Sequence, residues 1–340
     1  MGTRYVGGGC DSSDRGACRN RRQRSTNDVL ELAHYAALVG FLPLPSGMNR
    51  KCPYCSNEVV SSETRPIIRR SGFYRRKSDS RLIQRYRCQQ CDRCFSNATG
   101  HPAFRHKKRQ INDRLRRLLC SGVSLRRAAR LLHVSRTTVA RKLVYLGKQA
   151  QIELKTQNQL HPRCETVEFD DQETFEHTKC KPLSITLAVE FKTRRILGFE
   201  VSKMAAKGHL AKIALKKYGP RQDGRRRARA RLFKTLKPLV VPTAKFKSDE
   251  NPHYRQDIQK YFPEALHETH KGQRGSIVGQ GELKKIRFDP LFSLNHTCAM
   301  TRANMNRLFR RTWCTTKLPE RLADHFAIYA VYHNSALAEA

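Results

Sequence analysis

Apolar and polar positions alternate most clearly in Val167-Glu168-Phe169-Asp170-Asp171, a segment that runs into a pair of carboxylates. Two further runs follow, Leu183–Phe191 and Arg195–Val201, rich in Ile, Val, Leu, Phe and Thr, with turn-compatible or charged residues at the breaks (Lys181-Pro182 and Lys192-Thr193-Arg194). Such composition between such breaks predicts three consecutive strands. Ala205–Tyr218 predicts a helix, followed by the basic patch Arg221–Arg231 as a loop or helix. Thr243–Ser248 predicts another strand, ending in Asp249 just before Glu250-Asn251-Pro252; a helix His253–Tyr261 and a strand Ala265–Thr269 come next. Gly272–Gly281 reads as a loop, Leu294–Trp313 as one long basic amphipathic helix, and Pro319–His333 as a last helix.

Before these strands the period is helical. Ile111, Leu115, Leu118 and Leu119 recur at i, i+4, i+7 and i+8. Gly122-Val123 breaks that helix, and Ser124 caps a second, Leu125–Leu132, with Ala128, Ala129 and Leu132 inward. A tight turn at His133-Val134 leads to Ser135, which caps a third, Arg136–Leu146. Residues 106–150 therefore read as a helix-turn-helix DNA-binding domain, with Arg136, Thr137 and Thr138 at the start of the recognition helix, where base edges are met. Arg126, Arg127, Arg130, Arg136, Arg141 and Lys142 suit phosphates. An ordinary basic helical bundle is the plain alternative, because small residues and short turns also suit helix packing. Residues 148–164 read as a linker.

Five of the twelve cysteines fall between positions 52 and 94. Cys52-Pro53-Tyr54-Cys55 and Cys88-Gln89-Gln90-Cys91 are two knuckles, each offering two sulfurs from one turn, and four thiolates fill the shell of a structural Zn²⁺. Residues 48–97 thus read as a zinc ribbon, with a hairpin Arg65–Arg70 and Leu82–Arg87 between the knuckles. Cys94 could pair with Cys91 instead; Cys88 and Cys91 are preferred because Cys94 falls where the chain leaves the turn. Residues 1–47 read as a disordered or short helical extension, with Asp28–Phe41 as the helix and Met48 as an alternative start to Met1.

Charge narrows the class of partner. Over 340 residues, Lys and Arg outnumber Asp and Glu 67 to 29, a formal net charge of +38. Such an excess implies a polyanion, here double-stranded DNA. No apolar run approaches the roughly 18 residues of a spanning helix, so no membrane partner is expected. A cysteine usage that suits metal rather than disulfides points to a reducing compartment, the cytoplasm.

The order of zinc knuckles, helix-turn-helix, Glu168-Phe169-Asp170-Asp171-Gln172, Lys247-Ser248-Asp249-Glu250 and a basic C-terminal segment ending Arg310-Arg311-Thr312-Trp313-Cys314 resembles bacterial insertion-sequence transposases, most nearly the IS-one-like group. The resemblance covers roughly Met48 to the C-terminus, and it implies a protein of the bacterial cytoplasm associated with the nucleoid. It implies an α/β fold in which the zinc ribbon and helix-turn-helix precede a ribonuclease-H-like mixed-sheet catalytic domain, residues 163–340. It also implies three side chains holding Mg²⁺ or Mn²⁺: Asp170, Asp249 and, where the family has Glu, Asn295. An amide oxygen ligates Mg²⁺ more weakly than a carboxylate, and Glu282 and Asp289 are fallbacks for that position.

The activity implied is cleavage and transfer of DNA strands. Two ions about 3.5–4 Å apart can activate the attacking oxygen and stabilise the leaving one. Asp170 would bridge them while Asp249 and Asn295 each complete one, with Arg302 and Arg307 positioning phosphates. Joining two element ends implies a homo-oligomer, at least a dimer. The reading from another class is a zinc-ribbon and helix-turn-helix regulator whose nuclease-like half is inactive.

Overall fold

The computed structural model describes residues 52–55, 67–77, 80–99, 101–271, 289–309 and 313–338. The readings for residues 1–47, the loop Gly272–Gly281 and Glu282 fall outside them. The chain divides into two units, with the boundary between Arg109 and Gln110.

The first unit is a three-stranded antiparallel sheet, β1 (Ile68–Arg75), β2 (Leu82–Cys88) and β3 (Cys94–Ser96). The second strand of the expected hairpin is in place. The first starts at Ile68 and runs on to Arg75, past a register shift at which Gly72 takes φ +73°. Only a residue without Cβ adopts that conformation cheaply, so the strand can bulge there and continue. The apolar core is small: Tyr86 is buried and lies 5.6 Å from Phe95, centroid to centroid.

The second unit begins with three helices, α1 (Asn112–Leu119), α2 (Leu125–Leu131) and α3 (Arg136–Gln159). Ser124 accepts from the Arg127 N–H and Ser135 from the Thr138 N–H, so both caps act as their sequence positions suggest. The expected linker 148–164 is absent: α3 continues without a break to Gln159. Val139, Leu143, Leu146, Ala150 and Leu154 form one buried stripe along it, and Asn158 at its far end donates to the carbonyls of Ile196 and Leu197.

A five-stranded sheet follows: β4 (Cys164–Phe175), β5 (Pro182–Glu190), β6 (Ile196–Lys203), β7 (Val240–Ser248) and β8 (Leu266–Thr269), in the order β6-β5-β4-β7-β8. β4, β5 and β6 form an antiparallel meander, β7 runs parallel to β4, and β8 runs parallel to β7. This mixed α/β order is that of a ribonuclease-H-like core.

The remaining helices are α4 (Leu210–Tyr218), α5 (Arg225–Leu236), α6 (Pro252–Tyr261), α7 (Phe292–Asn304) and α8 (Pro319–Ala338). Helices α1, α2, α3, α7 and α8 share one core with Leu183, Ile185, Leu187 and Val189. Helices α5 and α6 build the other around Phe169, Phe233, Phe246 and Tyr254. Covered on both faces, β5 is buried from Leu183 to Val189, which is why it reads as a continuous apolar run.

The single rod expected over Leu294–Trp313 is broken. Helix α7 ends at Asn304, Met305 is extended, and a 3₁₀ turn takes Asn306–Leu308. Met305 and Leu308 are both buried, so the chain turns inward after α7. Lys142, assigned to phosphate contact, is also buried, its Nζ lying 5.8 Å from the centre of the Tyr145 ring.

Candidate active site

Parallel pairing of β4 with β7 sets Glu168 opposite Lys247, and the same register carried two residues further brings Asp170 level with Asp249, the first residue after β7. Burial, and then the charge of Asp249, push Asp170 up to about 6; burial also raises Asp249. Tyr254 on α6 donates its hydroxyl to Asp170 Oδ1 at 3.1 Å, and the Asp171 N–H donates to the same oxygen at 2.6 Å. Asp249 Oδ1 accepts from the Asn251 N–H at 3.1 Å. Capping of α6 falls to Asn251, which accepts from the His253 N–H, so Asp249 is not the cap of that helix.

Asp171 points to the opposite face. It accepts from the Thr186 hydroxyl and pairs at 3.5 Å with Arg229, which also holds Asp257 at 2.7 Å. Both Asp171 and Arg229 are nearly inaccessible, so this acid is neutralised within the structure.

Glu168 escaped the sequence reading, although it lies two residues before Asp170 and so on the same face of β4. Its side chain is fully buried, and Oε2 accepts from the Leu294 N–H at 2.8 Å. A carboxylate from the sheet thereby satisfies an orphan donor in the first turn of α7 and pins that helix over the acids. Tyr254 was missed too, and only its closeness in sequence to Asp249 signals it.

Asn295 is exposed in the first turn of α7, with Nδ2 donating to Asp289 Oδ2 at 2.8 Å; Asp289 Oδ1 accepts from the Leu291 N–H. The structure thus brings Asp170 and Asp249 together and sets Asn295 against its own fallback, Asp289. The charge of Asp289 reaches Glu168, so this pair borders the same end of β4. His296 packs against Phe292 and receives Arg194 Nη1 at 3.3 Å; burial and that cation lower its pKa. Two half-buried carboxylates side by side, the first raised by burial and then by the charge of the second, form a donor set that a hard divalent cation fits.

In the first unit, Cys52, Cys55, Cys88 and Cys91 place their four sulfurs within 4.8 Å of one another. Cys52 and Cys91 are 3.6 Å apart, and Cys55 and Cys88 3.7 Å. A tetrahedron with Zn–S near 2.3 Å has edges of about 3.8 Å, so the arrangement fits Zn²⁺ and is far too open for a disulfide. Burial works against the Cys88 thiolate, but hydrogen bonds at the backbone of Cys91 and Gln90 outweigh it and bring that thiol down to about 7. Cys94 is exposed at the start of β3, outside the set. Among the described residues no other group of three or more His, Cys, Asp and Glu side chains converges in this way.

Of the residues assigned to DNA, Arg126, Arg127, Arg136, Thr137 and Arg141 are exposed at the starts of α2 and α3, and Thr138 is half-buried. Arg302 is half-buried on α7. Arg307 turns inward: Nη1 donates to Thr316 Oγ1 at 3.1 Å, and burial lowers its pKa to about 10. Among the described residues no helix is long and apolar enough to cross a membrane.

No family model and no curated protein matches the chain. Among solved structures it is similar to the catalytic domain of Mos1 mariner transposase, at 15% identity over 58% of this chain and 91% of that one, with a TM-score of 0.23. It is also similar to the Mos1 strand transfer complex, at 13% identity over 67% of this chain and 76% of that one, with a TM-score of 0.21.

Proposed function

We propose that the protein is a DNA transposase that binds the terminal repeats of its element and cleaves and joins DNA strands in a Mg²⁺- or Mn²⁺-dependent reaction. The observation that carries this reading is the pairing of Asp170 and Asp249, both half-buried, level with one another on β4 and at the end of the parallel strand β7. Bound there, the divalent ions supply activation of the attacking oxygen and stabilisation of the leaving one. Asp170 and Asp249 would hold them, and Asn295 would complete the set. Tyr254 orients Asp170 through Oδ1, and Glu168 keeps the start of α7 against β4. Arg126, Arg127, Arg136 and Arg141 grip phosphates while Thr137 and Thr138 meet base edges from a helix-turn-helix. Zn²⁺ on the four cysteines holds the ribbon. The motif order keeps the IS-one-like group as the proposed family, acting as an oligomer on DNA in the bacterial cytoplasm.

The test is direct. Purified protein is incubated with linear DNA carrying the element's inverted repeats, with and without Mg²⁺. Nicking at the repeat ends, lost in Asp170→Ala and in Asp249→Ala, supports the enzyme. One observation favours the regulator instead: Asn295 is bonded to Asp289 rather than to either acid of the pair. Tight, repeat-specific binding with no cleavage in either metal would establish that second reading.

A further inference from the structure

The turn between β5 and β6 carries cations at positions where turn chemistry favours other residues. Lys192 takes φ +67° and Arg194 φ +63°, a left-handed backbone that Gly and Asn adopt cheaply and long side chains do not. The turn is pinned by the sheet and by α7. The Phe191 N–H donates to the Thr166 carbonyl at 3.1 Å, and the Lys192 N–H donates to Ser293 Oγ, in the first turn of α7, at 2.9 Å. Backbone held in a costly conformation by its surroundings points to a function for the side chains it carries.

Lys247 on β7 meets the same turn. It lies two residues before Asp249, hence on the face of the sheet that carries the acid pair. Its Nζ stands 4.0 Å from the centre of the Phe191 ring, and Lys192 Nζ lies 5.7 Å from the centre of that ring. A cation against an aromatic face keeps its charge and loses freedom, so less ordering entropy remains to be lost when an anion arrives. Lys245, two residues earlier on the same face, is paired with Glu268 at 2.8 Å. Lys247 is not neutralised in that way. Glu168, opposite it on β4, turns Oε2 to the Leu294 N–H, and among the described residues no carboxylate stands at ion-pair distance from Lys192 or Lys247. Lys192 is exposed and Lys247 half-buried, so an anion can reach both from solvent.

Compact ammonium groups meet phosphate oxygens as point charges. A DNA strand presents one such charge for about every 3.4 Å of helix axis, so neighbouring phosphates can occupy two lysines that share one ring. We propose that Lys247 and Lys192 form a backbone clamp beside the acid pair, binding the phosphates that flank the linkage to be cut. The proposal rests on the reading of Asp170 and Asp249 as a catalytic pair, and the test separates the two.

The full chain is titrated over a range of salt with a labelled linear duplex carrying the element's inverted repeats. Lys247→Met and Lys192→Met keep the alkyl stem and remove the charge. In each, the slope of log K against log salt concentration is expected to shrink by about one, while Lys247→Arg keeps the parent value. Lys234→Met removes the same charge from α5, on the other face of the sheet, and is expected to leave the slope unchanged. Neutral methylphosphonate linkages are then placed one at a time along the strand. At the linkage that Lys247 contacts, the neutral group should weaken binding by the parent and leave Lys247→Met unaffected, a coupling that a merely structural lysine does not produce. That linkage should lie within a few nucleotides of the nick made with Mg²⁺. Parent-like slopes in both methionine variants, no linkage coupled to Lys247, or coupling only at linkages remote from the nick overturns the clamp, and nicking that persists leaves the enzyme reading standing. Coupling at one linkage in a protein that nicks no DNA in Mg²⁺ or Mn²⁺ keeps the phosphate site and sinks the catalytic reading.

Discussion

Gly147 on α3 and Asp324 on α8 bring their helices so close that a Cβ built on the glycine would stand 2.6 Å from the aspartate Cα. Backbone cannot yield as a flexible side chain does, so the two helices must move apart to admit even a methyl group. Alanine would gain about 1 kcal/mol of helix propensity, but overpacking costs about 1–3 kcal/mol. Gly147→Ala is therefore expected to lower the melting temperature by several degrees, at about 2–4 °C per kcal/mol for a unit of this size. A rise on thermal denaturation would show that α3 and α8 do not meet here.

The four-cysteine cluster fits Zn²⁺, and little apolar surface is buried among the described residues of the first unit, so that unit is expected to depend on metal. One equivalent of zinc per chain is expected by elemental analysis, and Cys88→Ser is expected to lose it. Chelation should expose the region of β1–β3 to limited proteolysis while the unit from Gln110, with its own two cores, keeps its melting transition.

Tyr254→Phe removes one donor from Asp170 and leaves the ring packing against Phe169, 4.8 Å between centroids. Residues that orient a metal ligand typically change metal affinity by about 10–100-fold when lost. The Mg²⁺ concentration for half-maximal nicking is expected to rise by about tenfold, with little change in stability. An unchanged Mg²⁺ dependence would remove Tyr254 from the site.

His325 sets an acid limit on stability. Its ring is held neutral by burial, with the pKa lowered from 6.5 to about 3. Between those values the unfolded chain binds a proton that the native state refuses, so stability falls as pH drops through this window, by up to about 1.4 kcal/mol per pH unit. Urea midpoints measured from pH 7 to pH 4.5 should fall less steeply in His325→Gln than in the parent. Parallel slopes would show that other groups govern the acid transition.

What the sequence alone determined is what lies close along the chain. Two sulfurs on one turn, a serine three residues ahead of the N–H it caps, and apolar residues at period 2 or 3.6 are all local, so the four cysteines, Ser124, Ser135 and most strands were legible. The unbroken course of α3 was legible as well, since Leu146, Ala150 and Leu154 continue its stripe through the stretch read as a linker. Tertiary structure decided the fate of side chains whose partners come from far away. The β4–β7 register made neighbours of Asp170 and Asp249, Glu168 became the anchor of α7, and Arg229 silenced Asp171. Likewise Arg307 and Lys142 read as phosphate ligands until packing drew them inward. A charge says that a polyanion suits the chain, but desolvation by distant segments decides which cations remain to meet it.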